Sequence, residues 1–488
     1  MGIFKKLVIL HSNDMHGDFL AENVDQNLVG GVSMLSGYVN KVRGEEPNTI
    51  YCIAGDMFRG SVIDSEFKGL STIEIMNAIS PDVVTIGNHE ADYGISHLLF
   101  IEKCAKFPII NANMYIKTNG ARLFRPYKII TVDGMKILFI GILTEEVLSQ
   151  AKTEGLVGTF VGINEAAREV GRICNTYNAT DIDFTVLMTH IGFEEDKKLA
   201  AALDPAWGVD VIIGGHTHTL LDEPAVVNGI PIVQAGTGTD QIGRFDITVD
   251  TDHNCIHDCT WRTIPIDSTH CPRDPEIEAL ISQYQKVTDV KYKRVVTRFR
   301  RKLTHPERHR ETELGNLFAD ILKESLNLDI MLLGSGSVRT EELGPLVLYE
   351  NFVECFPYGD SITMAKIKGS QLKHMIKFML RDEAWEGGHT EFYQFSKGLK
   401  VVYDRKTREV ESFTFEGEPV ADDRIFTVGF QYYHYTNLGT VLDMPLEEVA
   451  KNGTPRVVAT SCQEVLDEYL STHQHLDSKV EGRITLKN

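Results

Sequence analysis

Short apolar segments rich in valine and isoleucine alternate with amphipathic segments through the first half of the chain. Most of the apolar segments end at a turn residue, and this pattern predicts strands at Lys6–His11, Thr49–Ala54, Val83–Ile86, Pro108–Asn111, Lys136–Ile142, Phe184–Thr189 and Val209–Ile213. The segments between them have helical spacing and predict helices at Val32–Val42, Thr72–Ile79, Ile95–Cys104, Asn164–Tyr177 and Glu194–Leu203. This alternation is typical of an α/β layered domain and argues against an all-β sandwich.

The pattern changes near residue 265, where several prolines interrupt it. The segment that follows, Glu276–Val296, predicts a long polar helix or linker. Beyond residue 300 a second set of helices and strands is predicted at Leu314–Leu326, Ile330–Leu333, Ile362–Ile367, Leu372–Met379, Leu399–Tyr403 and Ile425–Phe430. We therefore predict a first domain, a linker helix and a second domain at residues 1–270, 271–300 and 301–488.

The charge and the amino terminus narrow the choice of partner and compartment. The 488 residues include 49 lysines and arginines against 69 aspartates and glutamates, which gives a net charge of −20. A field of that sign repels nucleic-acid backbones and anionic lipids, so we expect no nucleic acid polymer and no membrane as partner. The apolar run Leu7–Leu10 is too short for a secretory signal, so we expect a cytoplasmic protein. Small phosphorylated ligands stay open, because a bound metal can reverse the charge locally.

The cysteines are sparse, and only Cys255, Cys259 and Cys271 lie near one another in sequence. A zinc clip that includes His257 is one interpretation of this cluster, although its spacing matches no familiar zinc motif. The simpler interpretation, which we adopt, is a polar hairpin whose thiols are reduced.

Five of the predicted strands run directly into residues that can bind a metal ion. These residues are Asp14, His16, Asp56, Asn88, His190, His216 and His218. Open α/β sheets place ligands at the carboxyl ends of their strands, so five such ends can build one cluster. Asp14 with His16, and His216 with His218, are spaced i, i+2 and would each face one side in an extended backbone. Each motif alone is more often an ordinary turn, but the five together favour a shared metal site.

The composition of this ligand set indicates the chemistry. Seven oxygen and nitrogen ligands without a thiolate suit two divalent ions of the zinc, manganese or iron kind. If Asp56 bridges the ions, the carboxylates of Asp14 and Asp56 leave a local charge of about +2, which attracts a phosphate. Two ions about 3.5–4 Å apart can lower the pKa of a bridging water and stabilise an in-line displacement at phosphorus.

His89 and Asp92 form a separate pair next to the ligand candidate Asn88. At an offset of three residues, the carboxylate of Asp92 can accept a hydrogen bond from one imidazole nitrogen of His89. The other nitrogen is then left to face a substrate. His89 could then protonate a leaving oxygen or stabilise phosphoryl charge. The alternative is that Asp92 only caps the helix predicted from Ile95.

With these motifs in this order and spacing, the chain resembles the 5′-nucleotidase family of calcineurin-like metallophosphoesterases over nearly its whole length. The resemblance implies a first domain in which a β-sandwich is flanked by helices, and a smaller α/β domain that binds substrate. It implies two divalent metal ions, with manganese, zinc, iron or cobalt as candidates. One ion would be held by Asp14, His16, Asp56 and His218, and the other by Asp56, Asn88, His190 and His216. The resemblance also implies that His89 and Asp92 are the catalytic dyad.

The second domain resembles the substrate-recognition domain of that family. One segment begins at Arg310 and another ends at Arg339, and each is similar to a motif of that domain. The resemblance implies that these two arginines reach the anionic side of the ligand. The resemblance further implies that Phe392 and Tyr433 hold a nucleobase between two rings. The second ring normally precedes a Gly-Gly-Asp-Gly loop, which this sequence lacks, so the base preference stays open. Without the resemblance, such arginines are ordinary surface charges, and residues 432–435 are a strand with edge aromatics.

The function that these residues indicate is metal-dependent hydrolysis of phosphate monoesters, nucleoside 5′-monophosphates first, by a metal-bridging hydroxide. The altered aromatic segment keeps a second hypothesis open, in which the same centre opens 2′,3′-cyclic nucleotides or splits nucleotide sugars or dinucleotides. A third hypothesis is a metal- or nucleotide-binding sensor without catalysis. The paired His89 and Asp92 argue against the sensor, because a binding protein has little need of an oriented imidazole beside the metals.

Overall fold

The computed structural model describes residues 3–116, 119–144, 162–177, 181–384 and 391–487. The chain divides into two compact units, Met1–Thr288 and Asp289–Asn488. This division falls within the predicted linker, at a helix that spans Pro275–Tyr292. The predicted helix was too long at its carboxyl end, because Val295–Arg298 forms a strand that pairs with Leu346–Leu348.

The first unit contains fourteen strands among its described residues, and two six-stranded sheets use twelve of them. The strands are β1 (Phe4–Ser12), β2 (Glu22–Val24), β3 (Asn27–Val29), β4 (Thr49–Ala54), β5 (Val83–Thr85), β6 (Ile109–Ile110), β7 (Tyr127–Val132), β8 (Met135–Leu143), β9 (Phe184–His190), β10 (Val211–Ile213), β11 (Ala225–Val227), β12 (Ile230–Val233), β13 (Gln241–Asp250) and β14 (Cys255–Pro265). The helices are α1 (Val32–Glu45), α2 (Val62–Glu66), α3 (Leu70–Ile79), α4 (Ile95–Cys104), α5 (Ile163–Thr176), α6 (Phe193–Ala202) and α7 (Pro275–Tyr292).

The two large sheets of the first unit pack face to face. Their strand orders are β14-β13-β1-β4-β5-β6 and β11-β12-β10-β9-β8-β7. Side chains from both sheets share one core, for example Ile9 and Ile50 with Phe139 and Phe184. Helices α1, α3, α4 and α7 cover the outer face of the first sheet, and α5 and α6 cover that of the second. The predicted α/β layering is confirmed, and so is the sandwich flanked by helices that the resemblance implied.

The strands that the sequence predicted best are those buried on both faces. Every residue of β4 and of β9 is buried, as expected for central parallel strands, which are covered on both sides. The long antiparallel pair β13 and β14 was not predicted, although alternate residues of β13 are buried. Cys255 and Cys259 lie in β14, so the predicted location of this cluster in a hairpin is confirmed, and the reduced state of the thiols stays a prediction.

The second unit is built on a five-stranded sheet, in the order β21-β17-β25-β20-β26, and a four-stranded sheet, in the order β24-β23-β22-β27. Its strands are β15 (Val295–Arg298), β16 (Leu303–Thr304), β17 (Ile330–Gly334), β18 (Glu342–Leu343), β19 (Leu346–Leu348), β20 (Ile362–Lys368), β21 (Tyr393–Phe395), β22 (Leu399–Asp404), β23 (Glu409–Phe415), β24 (Glu418–Pro419), β25 (Ile425–Gln431), β26 (Arg456–Ala459) and β27 (Ile484–Lys487). Its helices are α8 (Glu313–Ser325), α9 (Tyr349–Cys355), α10 (Gly369–Met379), α11 (Tyr432–Thr436), α12 (Leu438–Val441), α13 (Leu446–Ala450) and α14 (Cys462–Thr472).

The tyrosine-rich segment after β25 is a short helix, Tyr432–Thr436. The alternative that these aromatics belong to an ordinary strand is therefore wrong. Strand β25 ends at Gln431, and the chain then turns so that the rings of Tyr432 and Tyr433 are exposed.

Within the described ranges, no helix combines the length and the apolar composition that crossing a bilayer requires.

Candidate metal centre and active site

The predicted ligands come from both sheets of the first unit. Asp14 and His16 follow β1, Asp56 follows β4, and Asn88 follows β5, all in the first sheet. His190 is the last residue of β9, and His216 and His218 follow β10, in the second sheet. Side-chain atoms from the two sheets lie within a few ångströms of each other, as for His190 Nε2 and Asp56 Oδ2 at 3.1 Å. The structure therefore gathers all seven predicted ligands at one place.

One group consists of Asp14, His16 and His218, whose ligand atoms all lie within 4.8 Å of one another. The Oδ1 atom of Asp14 is 3.5 Å from His218 Nε2 and 4.0 Å from His16 Nε2. The two Nε2 atoms of His16 and His218 are 3.0 Å apart. Two imidazole nitrogens and a carboxylate oxygen that point at one spot form a donor set for a cation.

A second group consists of Asp56, His190 and His216. The side-chain oxygen of Asn88 completes it, at 3.2 Å from His190 Nε2 and 2.9 Å from His216 Nδ1. Asp56 also lies in a cluster with His16 and His89, so its carboxylate stands between the two groups. The members of the two groups are those that the resemblance implied, and Asp56 lies near His16 of the first group as well; metal binding by these residues stays a prediction.

The backbone reaches this arrangement in a way that the spacing argument did not foresee. Five of the ligand candidates have positive φ angles, which are uncommon for residues other than glycine: Asp14 (50°), His16 (50°), Asp56 (53°), His216 (84°) and His218 (54°). The expectation of an extended backbone was therefore wrong, although Asp14 and His16 do lie in one group, as their i, i+2 spacing predicted. His216 and His218 instead point into different groups. Residues with such φ angles are strained, and the surrounding structure must hold them in this conformation. Such residues cluster at functional sites.

Hydrogen bonds from the outer nitrogens orient two of the imidazole rings. The Nδ1 atom of His190 lies 2.8 Å from the carbonyl oxygen of Ala54, and the Nδ1 atom of His16 lies 3.2 Å from that of Phe58. A carbonyl can only accept, so in both rings Nδ1 carries a hydrogen, and in the neutral ring Nε2 presents its lone pair to the cluster. This is the usual arrangement of histidines that bind metals.

The electrostatics of the cluster favour a bound cation. Burial opposes ionisation of Asp56, but the charge and hydrogen bond of His190 hold the pKa of this carboxyl at about 2. Burial would likewise lower the pKa of His190, yet the carboxylates of Asp56 and Asp14 raise it to about 9. A proton on His190 thus provides the positive charge that two buried carboxylates require. A metal ion can provide the same charge, and the residues present fit divalent ions.

Glu90 is part of the site, and the sequence analysis assigned it no role. Its buried carboxylate accepts backbone N–H bonds from Asp56 at 3.0 Å, Met57 at 2.6 Å and Gly87 at 2.6 Å. Burial and the nearby charge of Asp56 raise the pKa of Glu90 to about 7. Glu90 therefore fixes the loop that carries Asp56 to the loop that carries Asn88. Its position directly after His89, in the segment Gly87–Glu90 that follows a buried strand, was the available signal.

His89 and Asp92 are in direct contact. Nδ1 of His89 lies 2.6 Å from Oδ2 of Asp92, and the backbone N–H of His89 donates to Asp56 Oδ1 at 2.9 Å. The bond from Asp92 raises the pKa of His89 above its usual value, although burial opposes this. The alternative that Asp92 only caps helix α4 is wrong, because the capping residue is Gly94 and no side chain caps that helix.

The four predicted substrate residues of the second unit differ in exposure. Arg310 is exposed and lies 3.5 Å from the carboxylate of Glu307, while Arg339 donates to the carbonyl oxygen of Gly336 at 3.4 Å. Tyr433 is 61 % exposed, whereas Phe392 is 3 % exposed and packs in the core of the unit. The structure therefore does not present the ring of Phe392 at a surface, as stacking on a base would require. Substrate contact by these residues stays a prediction.

Comparison with known protein families decides the family. Residues 7–220 match the family model described as calcineurin-like phosphoesterase, and residues 288–445 match the one described as 5′-nucleotidase, C-terminal domain. The chain belongs to the 5′-nucleotidase family of calcineurin-like phosphoesterases. It is accordingly a hydrolase of phosphate esters.

Individual relatives agree with this family along almost the whole chain. The 5′-nucleotidase of Mus musculus is 27% identical over 540 aligned positions, which cover 98% of this chain and 90% of that protein. The snake venom 5′-nucleotidase of Naja atra is 27% identical and covers 82% of each chain. A 5′-nucleotidase precursor from Thermus thermophilus has a similar fold, with a TM-score of 0.63, 23% identity and coverage of 99% of this chain and 100% of that one.

Proposed function

We propose that this member of the 5′-nucleotidase family hydrolyses phosphate monoesters, nucleoside 5′-monophosphates first, at a centre of two divalent metal ions. The observation that carries the proposal is the convergence of seven oxygen and nitrogen ligands into two groups that share Asp56, beside the contact between His89 and Asp92. The names of the relatives, 5′-nucleotidases of mouse and cobra, support the choice of substrate.

In this proposal the two groups of side chains hold one ion each. Asp14, His16 and His218 would bind the first ion, Asn88, His190 and His216 the second, and Asp56 both. When bound, two such ions supply Lewis acidity that activates water and offsets charge on the phosphoryl oxygens. The absence of thiolates among the ligands favours manganese, zinc, iron or cobalt over softer metals.

His89 would act on the leaving group. Because Nδ1 of His89 is engaged by Asp92 at 2.6 Å, the other ring nitrogen is the one that can give a proton to the departing 5′-oxygen. The hydrogen bond to Asp92 raises the pKa of His89, which favours the charged ring that a proton donor needs. Asp92 holds the imidazole in one orientation and stabilises its charged form.

The second unit would bind the nucleoside part of the substrate. Arg310 and Arg339 are exposed cations that can pair with anionic groups, and Tyr433 offers an exposed ring on which a base can stack. Phe392 takes part in this proposal only if its ring leaves the core.

The experiment is a substrate panel on protein reconstituted with Mn²⁺. We expect phosphate release from AMP and from 4-nitrophenyl phosphate, and little turnover of 2′,3′-cyclic AMP or of a dinucleotide. His190→Ala removes a ligand of the second group, and activity should fall by more than the about 10–100-fold typical of residues that only support ligands. His253→Ala, at an exposed histidine that pairs with Asp250, is the matched control and should keep full activity.

Two outcomes would contradict the proposal. Full metal loading without release of phosphate from any ester would exclude an esterase, and tight AMP binding in that case would favour the sensor hypothesis. Faster turnover of cyclic or bridged nucleotides than of AMP would favour the second hypothesis, in which the centre hydrolyses 2′,3′-cyclic nucleotides, nucleotide sugars or dinucleotides.

A further inference from the structure

Arg59 contacts the catalytic pair, and the sequence analysis did not single it out. Its Nε donates to Oδ2 of Asp92 at 2.7 Å. The same oxygen is bonded to Nδ1 of His89 at 2.6 Å. A single carboxylate oxygen therefore carries both bonds, and the position of Asp92 depends on both partners.

The backbone around Arg59 is held in an uncommon conformation. Arg59 has a φ angle of 71°, in the left-handed region that residues other than glycine rarely adopt. Its N–H donates to the buried carboxylate of Asp64 at 2.9 Å, and that carboxylate also accepts from the hydroxyl of Tyr93 at 3.2 Å. The next residue, Gly60, lies so close to the carbonyl of His16 that a Cβ atom would clash there. The loop is thus fixed on both sides of Arg59, which favours a defined role for this side chain.

The charge of Arg59 differs from that of His89 in one important respect. A guanidinium remains charged at all physiological pH values, whereas an imidazole becomes neutral when it gives up its proton. The side chain of Asp92 is only 5 % exposed, and burial of that kind opposes ionisation. The bonds from His89 and Arg59 nevertheless keep the pKa of Asp92 below its usual value. Arg59 therefore adds a second hydrogen bond and a permanent positive charge to this carboxylate.

We propose that Arg59 is a positioning residue of the active site, which holds Asp92 so that His89 keeps its orientation. The proposal rests on the proposed function, in which His89 protonates the leaving oxygen. It requires no contact between Arg59 and the substrate.

The test compares Arg59→Gly with the wild-type protein on two substrates under Mn²⁺ saturation. Glycine accepts the left-handed φ angle, so the loop should fold, and Arg59→Asn is a second variant that tolerates the same backbone. We expect kcat for AMP, whose alkoxide leaving group needs a proton, to fall about tenfold, a part of what general acid catalysis contributes. Both kcat for 4-nitrophenyl phosphate, which has a good leaving group, and KM for either substrate should change less than about twofold.

Two further measurements complete the test. Guanidinium added at millimolar concentration should restore part of the lost kcat of Arg59→Gly on AMP. Arg408→Gly is the matched control, because Arg408 is an exposed arginine with a φ angle of 57° that pairs with Glu383. It should match the wild-type protein on both substrates.

Equal losses of kcat on both substrates, or a raised KM, would overturn the proposal, because they would indicate that Arg59 binds the phosphoryl group itself. An unchanged kcat on AMP in both variants would also overturn it, while the proposed function would stand. A wild-type protein inactive on both substrates would overturn the proposed function, and this inference with it.

Discussion

The predicted site residues of the two units differ in exposure. In the first unit the ligand candidates Asp14, Asp56 and His190 are almost fully buried, and each is tied to backbone or to another side chain. In the second unit the predicted substrate residues Arg310 and Tyr433 are exposed on helices and loops. An unpaired buried polar group costs free energy, so few residue types are tolerated at such positions.

This difference explains why one part of the site is easy to recognise and the other is not. A cluster of buried ligands demands fixed residue types at fixed strand ends. An exposed ring or guanidinium can be supplied from many positions, and loops tolerate such exchange. We expect the first unit to determine which bond is broken, and the second to determine which ester is accepted.

The largest expected effect concerns Phe392, which by its burial behaves as a core residue and not as a recognition residue. Phe392→Ala should lower the free energy of unfolding by about 3–5 kcal/mol, because it leaves a cavity in the core of the second unit. Tyr433→Ala should change it by less than about 0.5 kcal/mol, since the ring is exposed. Urea denaturation measures both.

Kinetics then separate packing from recognition. Tyr433→Ala should raise KM for AMP and leave KM for 4-nitrophenyl phosphate unchanged. Phe392→Leu keeps the core filled. If it raises KM for AMP as much as Tyr433→Ala does, the ring of Phe392 contacts the base. The buried and the exposed ring would then have the same function.

The next effect concerns Glu90, which supports the ligands of the first unit without being one of them. In Glu90→Gln an amide NH₂ replaces one oxygen and faces backbone N–H groups, so the loop carrying Asp56 loses acceptors. We expect the apparent affinity for Mn²⁺ to fall about 10–100-fold, as for other residues that support ligands. Titration calorimetry measures this, and Glu102→Gln, at a glutamate that pairs with Lys103, is the control. Unchanged affinity in Glu90→Gln would show that the loop needs no such anchor.

The smallest effect concerns pH and a buried histidine of the second unit. Burial lowers the pKa of His434 to about 4. Because this folded value lies below the unfolded one of about 6.5, the unfolded chain binds more protons between these pH values, and stability is lost as pH falls through that range. The slope should reach about 1.4 kcal/mol per pH unit.

His434→Asn should remove this contribution, and unfolding free energies at pH 7.0, 6.0 and 5.0 measure it in the presence of a chelator. His475→Asn is the control, because His475 is exposed and its φ angle of 58° suits asparagine. An equal pH slope in the wild-type protein and in His434→Asn would show that His434 is already protonated in the folded chain.

Much of the first unit could be predicted from the sequence, for a physical reason. Strands such as Thr49–Ala54 are buried on both faces, so they are continuous apolar runs, and the ligands follow directly at their carboxyl ends. The pair His89 and Asp92 is local, three residues apart, and its contact was foreseen for that reason.

Other features depend on residues that are distant in sequence, and no local pattern shows them. The positive φ angles of Asp14 and His218 arise from loops that are pressed against each other. The bond between Arg59 and Asp92 joins two loops 33 residues apart. Residues 432–436 form a helix and not a strand because the chain turns after Gln431. Strand β13 pairs with β1 at the start of the chain, and sequence spacing does not show that pairing either.

The ligands span positions 14 to 218, and they come from both sheets of the sandwich. A growing polypeptide on the ribosome therefore cannot assemble either group until β10 and the loop after it have emerged and the two sheets have closed on each other. Cation binding at this centre would therefore come late in the synthesis of the first unit. Fragments released early would carry no ions and no hydrolytic activity.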